Sequence, residues 1–177
     1  MTDMTSSPLH DLTGSWTVDP ARSTATVRCK TMWGIATVKG TFSELTGTCE
    51  VAESGASGEV RIPVATLVTG IAKRDAHLRG PDFFDVARYP EVSVAVTSAD
   101  PNGPDVSRLR ATLTIKDTTR PIEPQAAVSR LPDGAVRVTT TLKVDRHDFG
   151  VDGNLLGMVG KDATASADVV FVRSDRT

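Results

Sequence analysis

The sequence predicts an all-β domain of roughly eight antiparallel strands, closed into an up-and-down barrel or packed as a sandwich, with one short helical lid. Three observations carry this. Apolar and polar residues alternate with a period of two through most of the 177 residues, the pattern of strands with one buried face. Clusters of Gly, Pro, Asp, Asn and Ser punctuate the alternation as turns. The longest departure, Thr69 to Pro90, carries helix formers and paired aromatics instead. Closure is favoured over an open arrangement because it removes the edges that long strands leave unpaired.

In chain order, residues 1–12 are polar and read as a flexible N-terminal segment, leaving 13–177 as a single barrel domain. Trp16 and Val18 share a face of the first strand, and Asp19-Pro20 turns the chain. Ala25, Val27 and Cys29 point inward on the next, which Met32-Trp33-Gly34 interrupts. The alternation resumes from Ile35 to Phe42 and from Leu45 to Val51, with Gly40 and Gly47 where barrel strands bend. After a turn over Glu53–Gly58, Val60, Ile62 and Val64 face inward.

The lid follows. Ala72–Leu78 forms a helix that Gly80-Pro81 ends, Gly80 serving as a left-handed cap. Asp82 then caps a second short helical turn over Phe83-Phe84-Asp85-Val86. Leu78, Phe83 and Phe84 are too apolar to face water, so this segment must cover a larger apolar surface. Beyond it, Val92, Val94 and Val96, then Leu109, Ala111, Leu113 and Ile115, alternate as strands around a turn at Asp100–Asp105. Two prolines make 121–130 an edge or bulged strand. Leu131-Pro132-Asp133-Gly134 is a hairpin turn before Val136–Val144, and 145–162 is a second irregular stretch. Ala163, Ala165, Ala167, Val169 and Phe171 line the closing strand.

Twenty basic against 22 acidic residues give a net charge of -2, which argues against a nucleic-acid or anionic-membrane surface. No run of apolar residues is long enough to span a bilayer, and the N-terminus lacks the basic and apolar regions of a signal peptide, so the expected location is cytoplasmic. Cys29 and Cys49 read as two buried free thiols.

Many of the inward residues are small or medium, and aromatics are only 5% of the chain. Eight strands enclose a space that side chains just fill or that holds one slender ligand, and this lining leaves it unfilled. The aromatic and lid residues Trp16, Trp33, Phe42, Leu78, Phe83, Phe84 and Phe149, with Leu155 and Met158 from the second irregular stretch, are the candidates to line or gate that space. Arg74 and Arg146 are the candidates for a polar head group at its mouth. Arg74-Asp75-His77 and Arg146-His147-Asp148 each contain an acid, a base and an orienting group. With no nucleophile or second carboxylate beside them, both trios read as anchors of the irregular stretches. The rival reading is a small-barrel isomerase or hydrolase acting on an apolar substrate at His77 and His147. Two histidines fall short of the three protein ligands a catalytic zinc wants, so no metal site is expected.

Several pieces together resemble the YceI-like, polyisoprenoid-binding, lipocalin-like family. They are Trp16–Ser23, Gly40-Thr41-Phe42, Arg74-Asp75-Ala76-His77-Leu78 with Asp82–Val86 and Tyr89-Pro90, Leu113–Pro121, and Asp145–Val151. The resemblance implies an extended eight-stranded antiparallel lipocalin-like barrel whose interior holds a long isoprenoid, quinone-like or similar amphiphilic lipid, and often a homodimer. It also implies no catalysis, no cofactor and no metal. Many relatives are exported, whereas this chain shows no signal. Met32-Trp33-Gly34 stands where relatives often have a histidine.

Overall fold

The computed structural model describes residues 12–31, 34–103, 105–151 and 159–174. They form a closed eight-stranded antiparallel barrel with one short helix. Eleven segments make up the eight strands, because three strands are broken. β1 (Gly14–Val18) and β2 (Thr24–Thr31) are separated by a 3-10 turn at Pro20–Arg22, capped by the Asp19 carboxylate accepting from the Ala21 N–H. β3 (Ala36–Phe42) and β4 (Thr46–Ala52) part at Ser43–Leu45, where Glu44 takes a left-handed conformation. β8 (Thr118–Ile122) and β9 (Gln125–Arg130) part at Glu123-Pro124, as a proline without an N–H requires. β5 (Gly55–Pro63), β6 (Glu91–Pro101), β7 (Val106–Ile115), β10 (Val136–Asp145) and β11 (Val159–Arg173) complete the ring.

Neighbours in the ring are neighbours in sequence, except that β11 closes it against both β1 and β2. The inward sets read from the alternation hold along β2, β7, β10 and β11. On β6 a bulge between Val96 and Ser98 changes the parity, so Ala99 follows Val92, Val94 and Val96 to the inside.

Strand pairing is incomplete at one end. β5 stops at Pro63, so the free edge of β3 meets only the chain after β5, through one bridge between Thr41 and Val68. β8 pairs with β7 alone among the described residues. The 3-10 turn Arg146–Phe149 lies beside it, with Arg120 Nε donating to the Asp148 carbonyl (3.2 Å) and Lys116 Nζ to that of Gly150 (3.0 Å). Residues 64–90 cover the first gap with a 3-10 turn at Val64–Thr66 and helix α1 (Ala72–Arg79).

Two expectations for this segment are corrected. Gly80 ends α1 in an extended conformation (φ -79°), not a left-handed one. The chain from Asp82 to Val86 is a set of turns, not a second helix, and Asp82 caps nothing there. The helix's last carbonyls instead accept from a chain folding back, Phe84 N–H to Leu78 O and Val86 N–H to Arg79 O, with Asp85 left-handed at the reversal.

The larger apolar cluster packs Val18, Phe42, Leu45, Val64, Leu67, Phe83, Val92 and Leu113 at the lid half. A smaller one gathers Leu12, Trp16, Val51 and Val136 at the other. Leu12, placed by composition with the flexible segment, is buried there, and its carbonyl accepts from Trp16 Nε1 at 2.8 Å.

Gly47 lets β4 lie against the β5 backbone. At φ +155°, a Cβ there would sit 2.1 Å from the Glu59 carbonyl oxygen. Gly47→Ala is expected to destabilise the barrel by about 1–3 kcal/mol, the range for an imposed backbone strain, read as a lower midpoint in urea.

Candidate functional site

Beneath the lid the barrel encloses a chamber of about 440 Å³, within the range of small-molecule sites. Its walls are the inward residues of the strands that meet at that end: Val27 and Cys29 of β2, Val38 and Gly40 of β3, Ile115 of β7, Val144 of β10 and Ala163 of β11. Leu67, Leu78, Phe83 and Phe84 roof it. Thr69, Lys73, Arg74 and His77 bring polar groups to the lid side, while the strand walls are almost wholly apolar.

The lid is held by hydrogen bonds to buried polar groups. Asp75 on α1 accepts from the Thr69 backbone N–H (2.9 Å) and, more closely, from the Thr69 hydroxyl. That hydroxyl in turn accepts from Arg74 Nε at 2.8 Å, while Arg74 Nη2 donates to the Thr69 carbonyl. The Thr69 hydrogen bonds hold the Asp75 carboxyl below the ordinary carboxylate range, burial opposing them. Arg79 Nη2 reaches the Leu67 carbonyl at 2.6 Å, and Leu67, 1% exposed, presses its side chain into the space Gly40 leaves by having no Cβ. Gly40, expected as a bend, is therefore a socket for the lid.

Of the residues read from sequence as ligand-lining, Leu78, Phe83 and Phe84 line the chamber, as do both head-group candidates, Arg74 and Arg146. Arg146 is buried, its Nε donating to the Gly160 carbonyl (2.8 Å) and Nη1 to that of Val151 (2.7 Å), so it ties the second irregular stretch to the start of β11. Phe42 and Phe149 do not line the chamber. Both are buried in the larger cluster, Phe42 edge-on to Phe84 with centroids 6.1 Å apart. Trp16 lies at the opposite half, under the Arg173 guanidinium, and borders a separate space of about 110 Å³. Trp33, Leu155 and Met158 lie outside the described residues.

The two histidines are not brought together as one site. His77 lines the chamber beside Phe83 (centroids 5.3 Å) with Nε2 3.6 Å from Asp82, whereas His147 is exposed on its 3-10 turn and does not line it. No cluster of three or more His, Cys, Asp or Glu suited to a metal occurs among the described residues, nor any helix long and apolar enough to cross a membrane.

The residues sequence reasoning did not single out are the wall itself, Val38, Ile115, Val144 and Val151, together with Leu67, Ile71 and Lys73. Alternation marked most wall positions as inward without saying at which height they lie. Both thiols are free and half-buried: Cys29 in the chamber wall, Cys49 beside the small space. Burial raises the Cys29 pKa, with Arg146 opposing, and pushes that of Cys49 up to about 11.

A family model described as YceI-like domain matches residues 16–171. A UPF0312 protein of Pseudomonas savastanoi pv. phaseolicola is 33% identical over 130 residues, covering 68% of this chain and 67% of that protein. The fold is similar to Burkholderia cenocepacia BcnA, with a TM-score of 0.78, 20% identity, and coverage of 86% of this chain and 98% of the other. It is also similar to a structure described as a polyisoprenoid binding domain from Saccharophagus degradans (TM-score 0.76, 19% identity, 90% of this chain and 98% of the other).

Because the folded-state pKa of Asp75 is depressed, its ionised form stabilises the lid above the unfolded carboxylate value and loses that contribution as pH falls through the folded one. Asp75→Asn is therefore expected to lower the melting temperature at pH 7, the difference from wild type closing below about pH 4. Parallel melting curves down to acid pH would contradict this role.

Proposed function

The chain belongs to the YceI-like domain family, and from that premise we propose that it carries or stores, without catalysis, one long apolar amphiphile of the isoprenoid or quinone-like class in the chamber under the lid. The observation that carries this reading is the chamber: about 440 Å³ walled mainly by aliphatic side chains, with most of its polar groups at the lid side. The description of the Saccharophagus degradans relative as polyisoprenoid binding supports the same ligand class.

The driving force is transfer of hydrocarbon out of water. Ten buried methylenes give about 8 kcal/mol of gross transfer energy, from which the ordering of ligand and lid is subtracted. The ligand enters where the wall is weakest, the edge of β3 that a single bridge joins to residue 68. Its head group stays by Lys73, Arg74 and His77, where donors face the opening. Arg74 has a donor beyond the two that hold Thr69. Arg146, with two donors committed to backbone carbonyls, supports the far wall.

The isomerase or hydrolase reading is not favoured. It needs His77 and His147 to act on one substrate, and only His77 borders the chamber.

Native mass spectrometry or organic extraction of the protein purified from cells is expected to yield a co-purifying lipid or quinone-like molecule. Ala163→Phe, which fills the chamber from the β11 wall, is expected to abolish that retention while leaving the fold intact by circular dichroism. An unliganded wild-type protein that rejects hydrophobic probes would defeat the proposal. Lipid loading is further expected to slow alkylation of Cys29, in the wall, and to leave the already slow reaction of Cys49 unchanged, as read by peptide mass mapping.

A further inference from the structure

The net charge of -2 conceals an asymmetry. On the outer face of the barrel, the strand register places Lys143 of β10, Thr164 of β11, Arg28 of β2 and Lys39 of β3 in one row across four strands. Lys30 follows two residues along β2, and Lys161 stands near the start of β11. All five cations are exposed, and none takes part in an ion pair among the described residues. The acidic groups beside them are Asp145 and Asp162, opposite one another across β10 and β11. Arg28 and Lys39 are direct cross-strand partners, an arrangement that costs stability. The rest of the molecule is correspondingly acidic.

The exposed large hydrophobic residues border the same strand. Ile35 (83% exposed) is at the tip of the β2–β3 hairpin, just beyond the last pair, Thr31 with Ala36. Val68 (56%) bridges to Thr41 on the free edge of β3, and Ile71 (53%) borders the chamber beside Lys73. Apolar side chains projecting singly along a strand edge, flanked by unpaired cations, suit the headgroup layer of a membrane: the aliphatic groups enter the acyl boundary and the cations meet anionic headgroups.

We propose that the β3 face of the barrel, with Ile35, Val68 and Ile71 spaced along the free edge of β3 and Arg28, Lys39 and Lys143 on the adjoining wall, docks on an anionic lipid bilayer and presents the β3 seam of the chamber to it. This revises the expectation drawn from net charge alone, because an interface responds to the local field and not to the sum over the molecule. It goes beyond ligand carriage and stands on surface residues that the chamber does not use, Ile71 apart.

The test is co-sedimentation of the full chain with vesicles of phosphatidylcholine alone or mixed with phosphatidylglycerol, at low and high salt. Binding is expected only to the mixed vesicles and is expected to weaken with salt. Lys39→Gln and Lys143→Gln should each reduce partitioning about fivefold, and Ile35→Ser should reduce it further, all three variants keeping the wild-type melting temperature and the same co-purifying molecule. Equal binding to both vesicle types, undiminished binding by the variants, or no binding by the wild type would overturn the docking surface. An empty chamber in a protein that still binds vesicles would overturn carriage alone, so the two proposals fail separately.

Discussion

Backbone hydrogen bonding around the ring runs out at one end, and most of what distinguishes this molecule follows from where it does so. β5 ends at Pro63 and leaves one edge of β3 without a strand partner, and β8 has only β7 among the described residues. Unpaired backbone groups beside an apolar interior are costly unless something meets them. At the first gap residues 64–90 do so through the Thr41–Val68 bridge, and at the second the Lys116 and Arg120 side chains hold the turn after β10 beside β8. A lid made this way is attached by a few specific bonds where a strand would have a full ladder. The same end of the barrel that holds the space therefore also has its weakest wall.

The polar groups of the two irregular stretches serve mainly to hold them. Arg74, Thr69 and Asp75 form one hydrogen-bonded chain within the lid, and Arg146 spans from its turn to Val151 and Gly160. The strand walls left facing the interior are mainly aliphatic. This division explains how a chain with 24% charged residues keeps a largely apolar chamber wall: the buried Asp75 and Arg146 are committed to backbone and hydroxyl partners, as buried charges must be.

Much of the fold was legible in the sequence because a period of two has one physical cause. The inward sets on β2, β7, β10 and β11 and the covering role of Phe83 and Phe84 came from that alternation and its interruption, whereas the strand read as continuous over 121–130 is broken at Glu123-Pro124. Three other things were not legible. A bulge on β6 shifts the parity without a sequence mark of its own. The turns after α1 replace a helix because the chain reverses to satisfy the last carbonyls of α1, a tertiary choice that Asp82 does not announce. The height of a residue along the barrel depends on register, so Trp16, Phe42 and Phe149 looked equivalent to Phe83 although they sit elsewhere in the interior.

β11 carries a further consequence. Its fifteen residues pair with β10 on one side and with both β1 and β2 on the other. During synthesis, then, β1 and β2 leave the ribosome with an open edge and keep it until β11 has been made. Over that interval nascent β1 and β2 are exposed to edge-to-edge aggregation, and the cationic residues Arg28 and Lys30 on β2 oppose such pairing by repelling a second copy of the same strand.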